Sequence, residues 1–162
     1  MKIKICGMRE PANIREIEAM DIDQLGFIFY KDSPRYVGDD FEFPTGMIPK
    51  QIQKTGVFVN SPMRYVQETI EKYHLDMIQL HGNESPEYCK LLHQNGFKVI
   101  NAFALDAQFD FNGLEDFMLV CDFFLFDTKS ALYGGSGHSF DWQLLKSYHL
   151  PKPFYLSGGL GL

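Results

Sequence analysis

Cysteine, positive charge and long apolar runs are all scarce in this sequence, and each shortage closes off a class of protein. The three cysteines, Cys6, Cys89 and Cys121, are an odd and widely spaced set. They build neither a disulfide framework nor a CxxC metal pair. Lys and Arg number 15 against 21 Asp and Glu, a formal charge of −6. With no basic block either, non-specific nucleic-acid binding is excluded. A phosphorylated small molecule is not, because a local site can be positive on an acidic protein. The longest apolar stretch, residues 117–126, is interrupted by Asp122 and falls far short of the ~20 residues that cross a bilayer. No apolar run follows Lys2 and Lys4 to make a signal peptide. A reducing cytoplasm without membrane attachment is therefore the expected compartment.

What the chain has is apolar mass. An apolar content of 45% with 22% charge over 162 residues is enough to bury a substantial core in one globular domain, residues 1–162. Phenylalanine is unusually abundant, at 15 residues, which predicts wide, well-filled packing layers.

Strand-like runs fall at 3–6, 25–30, 56–60, 77–81, 99–105, 123–127 and 154–157. Their spacing of about 25 residues is the length of a strand, a crossover helix and two short loops. Most are apolar on both faces, as parallel strands covered by helices are. Ser61-Pro62 precedes Val66, Ile70 and Tyr73, and Ser85-Pro86 precedes Tyr88, Leu91 and Leu92. In both, Ser is expected to cap the helix and Pro to occupy its first turn. Gly96 is placed to end the second of these helices. Glu10-Pro11 before Ile14, Ile17 and Met20 is a third start.

Alternating βα units leave an open doubly wound sheet or a closed (β/α)8 barrel. The first strand is followed by Cys6-Gly7-Met8-Arg9-Glu10, which is not the GxGxxG of an open nucleotide-binding sheet. Glycine-rich stretches come late instead, at Gly134-Gly135-Ser136-Gly137 and Ser157-Gly158-Gly159, where barrels hold phosphate. The expected fold class is thus α/β, a TIM barrel with seven identifiable strands. A C-terminal unit holding the eighth strand is expected to be missing from the sequence.

Residues two apart share a strand face, so Lys4 lies one step below Cys6, Gln79 below His81, and Leu125 below Asp127. A thiol and a carboxyl at carboxyl ends of strands are expected to converge on one barrel mouth, and the Lys4 ammonium to favour a Cys6 thiolate. Taken singly, however, Cys6 reads as buried filler, Asp127 as a cap, Arg35 as a surface charge and the glycine stretches as turns. His81 stands open between a structural and a site role. His74, His93 and His149 read as surface residues, and Cys89 and Cys121 as packing residues.

Several motifs together carry a resemblance: Lys4-Ile5-Cys6-Gly7, Leu25-Gly26-Phe27-Ile28-Phe29 with Ser33-Pro34-Arg35-Tyr36-Val37, and Gly56-Val57-Phe58-Val59-Asn60. Gln79-Leu80-His81-Gly82, Asp127-Thr128, Gly134-Gly135-Ser136-Gly137 before Phe140-Asp141-Trp142, and Ser157-Gly158-Gly159-Leu160 continue it. In order and spacing the chain resembles the phosphoribosylanthranilate isomerases of tryptophan biosynthesis, which are (β/α)8 barrels.

The resemblance implies an Amadori rearrangement of N-(5-phosphoribosyl)anthranilate. In it Asp127 is general acid to the furanose ring oxygen, and Cys6, as thiolate, is base towards C2 of the sugar. Asp127 then needs a raised pKa, expected from burial among Phe123, Phe124 and Phe126. The resemblance further implies that Arg35 binds the anthranilate carboxylate and that His81 belongs to the substrate site. Gly135, Ser136 and Gly137 belong to a loop that folds over that site, and Gly158 and Gly159 hold the phosphate. His138 stands where the family commonly has lysine.

The implied enzyme needs no cofactor and no metal, takes a small-molecule substrate, and is a monomer or homodimer. Another phosphosugar barrel enzyme, or an inactive barrel-derived binding module, is the alternative. The former would want catalytic lysines with a glutamate, or paired acids with metal-binding histidines, at its strand ends.

Overall fold

The computed structural model describes residues 1–17, 20–42, 46, 48–129 and 141–160. Its contacts divide into two compact units, Met1–Gln79 and Leu80–Leu162.

In the first unit, β1 (Lys4–Cys6), β2 (Gln24–Ile28) and β3 (Gln53–Phe58) are parallel neighbours in chain order, followed by β4 (Met77–Leu80), which runs to the unit boundary. Helix α1 (Pro11–Ile17) links β1 to β2, and α2 (Met63–Tyr73) links β3 to β4. The second unit holds α3 (Pro86–Gln94), β5 (Lys98–Leu105), β6 (Phe123–Thr128) and β7 (Phe154–Leu156), the strands again parallel and in chain order. Short 3-10 segments, Phe111–Phe117 and Trp142–Ser147, stand between these strands. Each begins at an aspartate, Asp110 or Asp141, whose carboxylate accepts the amide two residues on at 2.9 Å.

All seven expected strands are present, with shifted edges. β3 starts at Gln53 rather than 56, because the polar Gln53 and Lys54 pair with Gln24 and Leu25 of β2. β2 stops at Ile28, whose carbonyl takes the Val37 amide at 3.0 Å and so ties the long second loop back to the strand.

Helix starts follow the expected chemistry at Pro11 and Ser85 and depart from it at Ser61. Ser85 caps α3, its Oγ accepting from the Tyr88 amide at 3.3 Å, and Asn95 with a left-handed Gly96 (φ +84) ends it. Ser61 does not cap α2. The cap position is Pro62, which makes no side-chain cap bond, while Ser61 Oγ donates to the Val59 carbonyl at 3.4 Å. Ile14 and Ile17 of α1 are buried as expected, but the helix ends at Ile17 and Met20 lies beyond it, exposed.

The phenylalanines form the packing layers. In the first unit Phe29 stacks on Phe58 and Tyr73 at 5.5 and 5.2 Å between ring centroids. In the second, Phe103 meets Phe117 and Phe124 edge-on at 5.1 and 5.2 Å, and Phe126 meets Tyr148 and Phe154. Each fully buried ring contributes about 1.5–3 kcal/mol of transfer free energy.

One device recurs at the amino ends of the strands. The carboxylates of Asp23, Asp76 and Asp122, each just before an even-numbered strand, accept the amides of Ile3, Lys54 and Val99 at 2.7, 2.7 and 2.8 Å. The aspartate amide returns a bond to the same residue's carbonyl, at 3.0, 2.8 and 2.8 Å. These three clamps pin β2 to β1, β4 to β3 and β6 to β5 at their feet, leaving the carboxyl ends to carry other chemistry.

Candidate active site

In the first unit the site residues gather where β1 ends. Cys6 is the last residue of β1, and Gly7 turns the chain with φ +89. Arg35 reaches back from the second loop to this turn, its Nη1 donating to the Cys6 carbonyl at 3.2 Å. Its aliphatic stem lies over Gly7 so closely that a Cβ there would stand 2.7 Å from Arg35 Cδ. The guanidinium is thus fixed beside the thiol residue while remaining exposed.

Across from Cys6 in register is Gly26 of β2. A Cβ on Gly26 would lie 2.8 Å from Cys6 Sγ and 2.8 Å from Lys4 Nζ. The bare glycine makes the room in which the thiol and the ammonium stand.

In the second unit the site gathers where β6 ends. The Asp127 side chain, only 8% exposed, places Oδ2 3.2 Å from His81 Nε2. Its Oδ1 accepts the Thr128 amide at 2.9 Å. Burial pushes the Asp127 carboxyl up, but the His81 hydrogen bond and charge, the Thr128 amide and the Ser157 hydroxyl outweigh it. The carboxyl lies below its ordinary value. This corrects the expectation of a raised pKa.

The expected apolar wall is corrected with it. In register with Ala104, Asp127 shares a face with Leu125 and Ala102, whereas Phe124 and Phe126 alternate to the other face with Phe103.

Beside the pair lies a cavity of about 540 Å³ whose lining includes His81, Asn83, Asn101, Ala104, Asp127 and Lys129. Lys129 is held at its rim by Asp106, Nζ to Oδ2 2.5 Å. Gly158, with φ +86, brings bare backbone against Asp127 and Thr128, and Gly159 is also left-handed at φ +64. Gly134, Gly135, Ser136, Gly137 and His138 lie outside the described residues.

The first unit therefore brings Cys6, Lys4 and Arg35 together, and the second His81, Asp127 and Gly158. Sequence reading missed three things: the Arg35 bond to the Cys6 carbonyl, the vacancy at Gly26, and Lys129 on the cavity rim. The spacing of Asp127 and Lys129, two apart at a strand end, was the one signal for the last. The remaining thiols are inert. Cys89 and Cys121 are buried, and burial pushes each up to about 12. No helix among the described residues is long and apolar enough to cross a membrane.

Parallel βα units with polar side chains at the carboxyl ends of β1 and β6 and a cavity beside an acid–imidazole pair define a barrel-type α/β enzyme acting on a small molecule. Its family is clear from relatives. The family model for N-(5'-phosphoribosyl)anthranilate isomerase matches residues 3–162. A protein of Parabacteroides distasonis named N-(5'-phosphoribosyl)anthranilate isomerase is 45% identical over 162 residues, covering 99% of this chain and 73% of that protein.

Among solved structures, the phosphoribosyl anthranilate isomerase of Thermotoga maritima has a TM-score of 0.83 at 27% identity, covering 99% of this chain and 78% of that one. An isomerase in complex with reduced 1-(o-carboxyphenylamino)-1-deoxyribulose 5-phosphate has a TM-score of 0.78 at 25% identity, covering 99% and 76%. The chain belongs to the phosphoribosylanthranilate isomerase family and has the α/β, TIM-barrel type of fold of those enzymes.

Proposed function

We propose that the protein catalyses the Amadori rearrangement of N-(5-phosphoribosyl)anthranilate to 1-(2-carboxyphenylamino)-1-deoxyribulose 5-phosphate, a step of tryptophan biosynthesis. The observation that carries the reading is the Asp127–His81 pair, 3.2 Å apart at the end of β6, in a chain of this family. Asp127 gives a proton to the furanose ring oxygen, and the C1–O bond breaks as the anilino nitrogen lone pair forms an iminium. Cys6, as thiolate, takes the proton from C2. The C2–H electron pair makes the C1–C2 double bond of an enolamine, which tautomerises to the ketone.

Asp127 is held below its ordinary value by its hydrogen-bond partners, and it gains its proton as the substrate binds. The negative charges of the substrate raise a neighbouring carboxyl, and His81 Nε2 stands 3.2 Å from Asp127 Oδ2 to orient it. Arg35 takes the anthranilate carboxylate in a two-bond fork. The amides around Gly158 and Gly159 take the phosphate. The reaction needs no metal or redox cofactor, and the enzyme works in the cytoplasm as a monomer or homodimer.

The test follows the loss of phosphoribosylanthranilate fluorescence. Cys6→Ala and Asp127→Ala each abolish turnover without unfolding the protein, and Arg35→Ala raises KM. Near-normal turnover in either of the first two variants overturns the roles.

A further inference from the structure

Lys4 is a half-buried lysine that no step above uses. Along β1 it shares a face with Cys6, and its side chain passes Gln24, its partner in register, to reach Gly26. Both Lys4 Nζ and Cys6 Sγ lie 2.8 Å from the point a Gly26 Cβ would occupy. The two are therefore separated by less than about 6 Å, the range over which a cation favours a neighbouring anion.

Half-burying an ammonium costs hydration that a partner normally restores. Among the described residues Lys4 makes no ion pair and no side-chain hydrogen bond, whereas Lys31 and Lys129 are each held by an aspartate. The Cys6 sulfur likewise makes no hydrogen bond among them. A cation with no carboxylate, a thiol with no donor, and a glycine whose missing side chain seats both form one arrangement. A thiolate completes it.

We propose that Lys4 is a positioning residue of the reaction, the counter-ion that holds Cys6 as an anion in place and in readiness to take the proton. The inference rests on the reading of Cys6 as the base. Lys4 itself does not touch the reacting carbon. Its charge, on the same strand, keeps the sulfur in the space Gly26 leaves open and compensates the negative charge there. Once the sulfur has taken the C2 proton it is neutral. The ammonium then favours return of that proton from sulfur to the enolamine, which resets the base.

The experiment compares Lys4→Met, Lys4→Gln and Lys4→Arg by two readouts. The first is the rate at which iodoacetamide alkylates the folded protein at neutral pH. Cys89 and Cys121 are buried, with thiols at about 12, so the fast phase reports Cys6 alone. The second is kcat and KM for the isomerase reaction. The expected result is alkylation slowed about fivefold or more in Lys4→Met and Lys4→Gln, a matching fall in kcat with little change in KM, and recovery of both in Lys4→Arg.

Neutral variants that alkylate at the parent rate overturn the proposal. So does a rise in KM alone, which would place Lys4 on the substrate instead. Either result leaves the Cys6 assignment standing, since that falls only to a Cys6→Ala protein with near-normal turnover.

Discussion

Gly158 stands against the Asp127 carboxyl: a Cβ on its backbone would lie 2.8 Å from Asp127 Oδ1 and closer still to Thr128 Oγ1. Its φ of +86 is also one that L side chains rarely adopt. Gly158→Ala therefore combines backbone strain with a clash against the carboxyl proposed above as the acid. It is expected to lose about a hundredfold or more in kcat/KM and to melt several degrees lower. Gly96→Ala is the control. That residue has a similar φ, +84, with nothing within 4 Å, so it costs about 1 kcal/mol of stability and leaves turnover intact.

The Asp127–His81 pair also makes stability depend on pH. Since the Asp127 carboxyl lies below its ordinary 3.8 when folded, the contribution is fully present above that value. It is lost as the pH falls through the folded value. Asp127→Asn is expected to cost about 1–3 kcal/mol near neutrality, and the gap from the parent should shrink as the pH drops towards about 3. Urea unfolding of both proteins across that range measures it. A gap that widens in acid would mean that the carboxylate is a burden to the fold.

Some of this was legible in the sequence. The seven strands were, because apolar runs recur at the βα interval, and so was the placing of Cys6 and Asp127 at the carboxyl ends of β1 and β6. The ionisation state of Asp127 was not. Burial can be guessed from neighbouring phenylalanines, but alternation turns Phe124 and Phe126 to the other face. The imidazole that decides the matter comes from 46 positions away. Ser61 misled for a related reason. Its residue type suits a cap, yet the helix begins late enough that its hydroxyl bonds Val59 instead.

The clamps at the strand feet were equally invisible, since an aspartate before a strand looks like any turn residue. Their function is stability, and removing one should spare the chemistry at the opposite ends of the strands. Asp122→Ala and Asp23→Ala are each expected to cost about 1.5–3 kcal/mol, the value of a hydrogen bond to a charged group. For the more exposed Asp76→Ala roughly 1 kcal/mol is expected. Asn, which keeps an acceptor oxygen, should recover part of each loss. Urea midpoints read the stability, and kcat at low temperature should stay within about twofold of the parent.

Gly26 separates catalysis from stability in the opposite sense. Its φ is ordinary for a strand, and a Cβ there would meet the tips of two side chains, Cys6 Sγ and Lys4 Nζ at 2.8 Å, with the Cys6 Cα next at 3.2 Å. Adding a methyl group to a strand glycine recovers about 0.5–1 kcal/mol of backbone entropy. Crowding the two side chains costs about as much or somewhat more. The fold should therefore hold to within about 1 kcal/mol. The sulfur cannot keep its place, because only rotation about the Cys6 Cα–Cβ bond relieves the contact, and the ammonium is driven from the same space. Gly26→Ala is accordingly expected to lower kcat about tenfold or more with a nearly unchanged melting temperature. Its Cys6 alkylation rate should fall with kcat. A variant with parent-like turnover would show that the vacancy at Gly26 is not what seats the base.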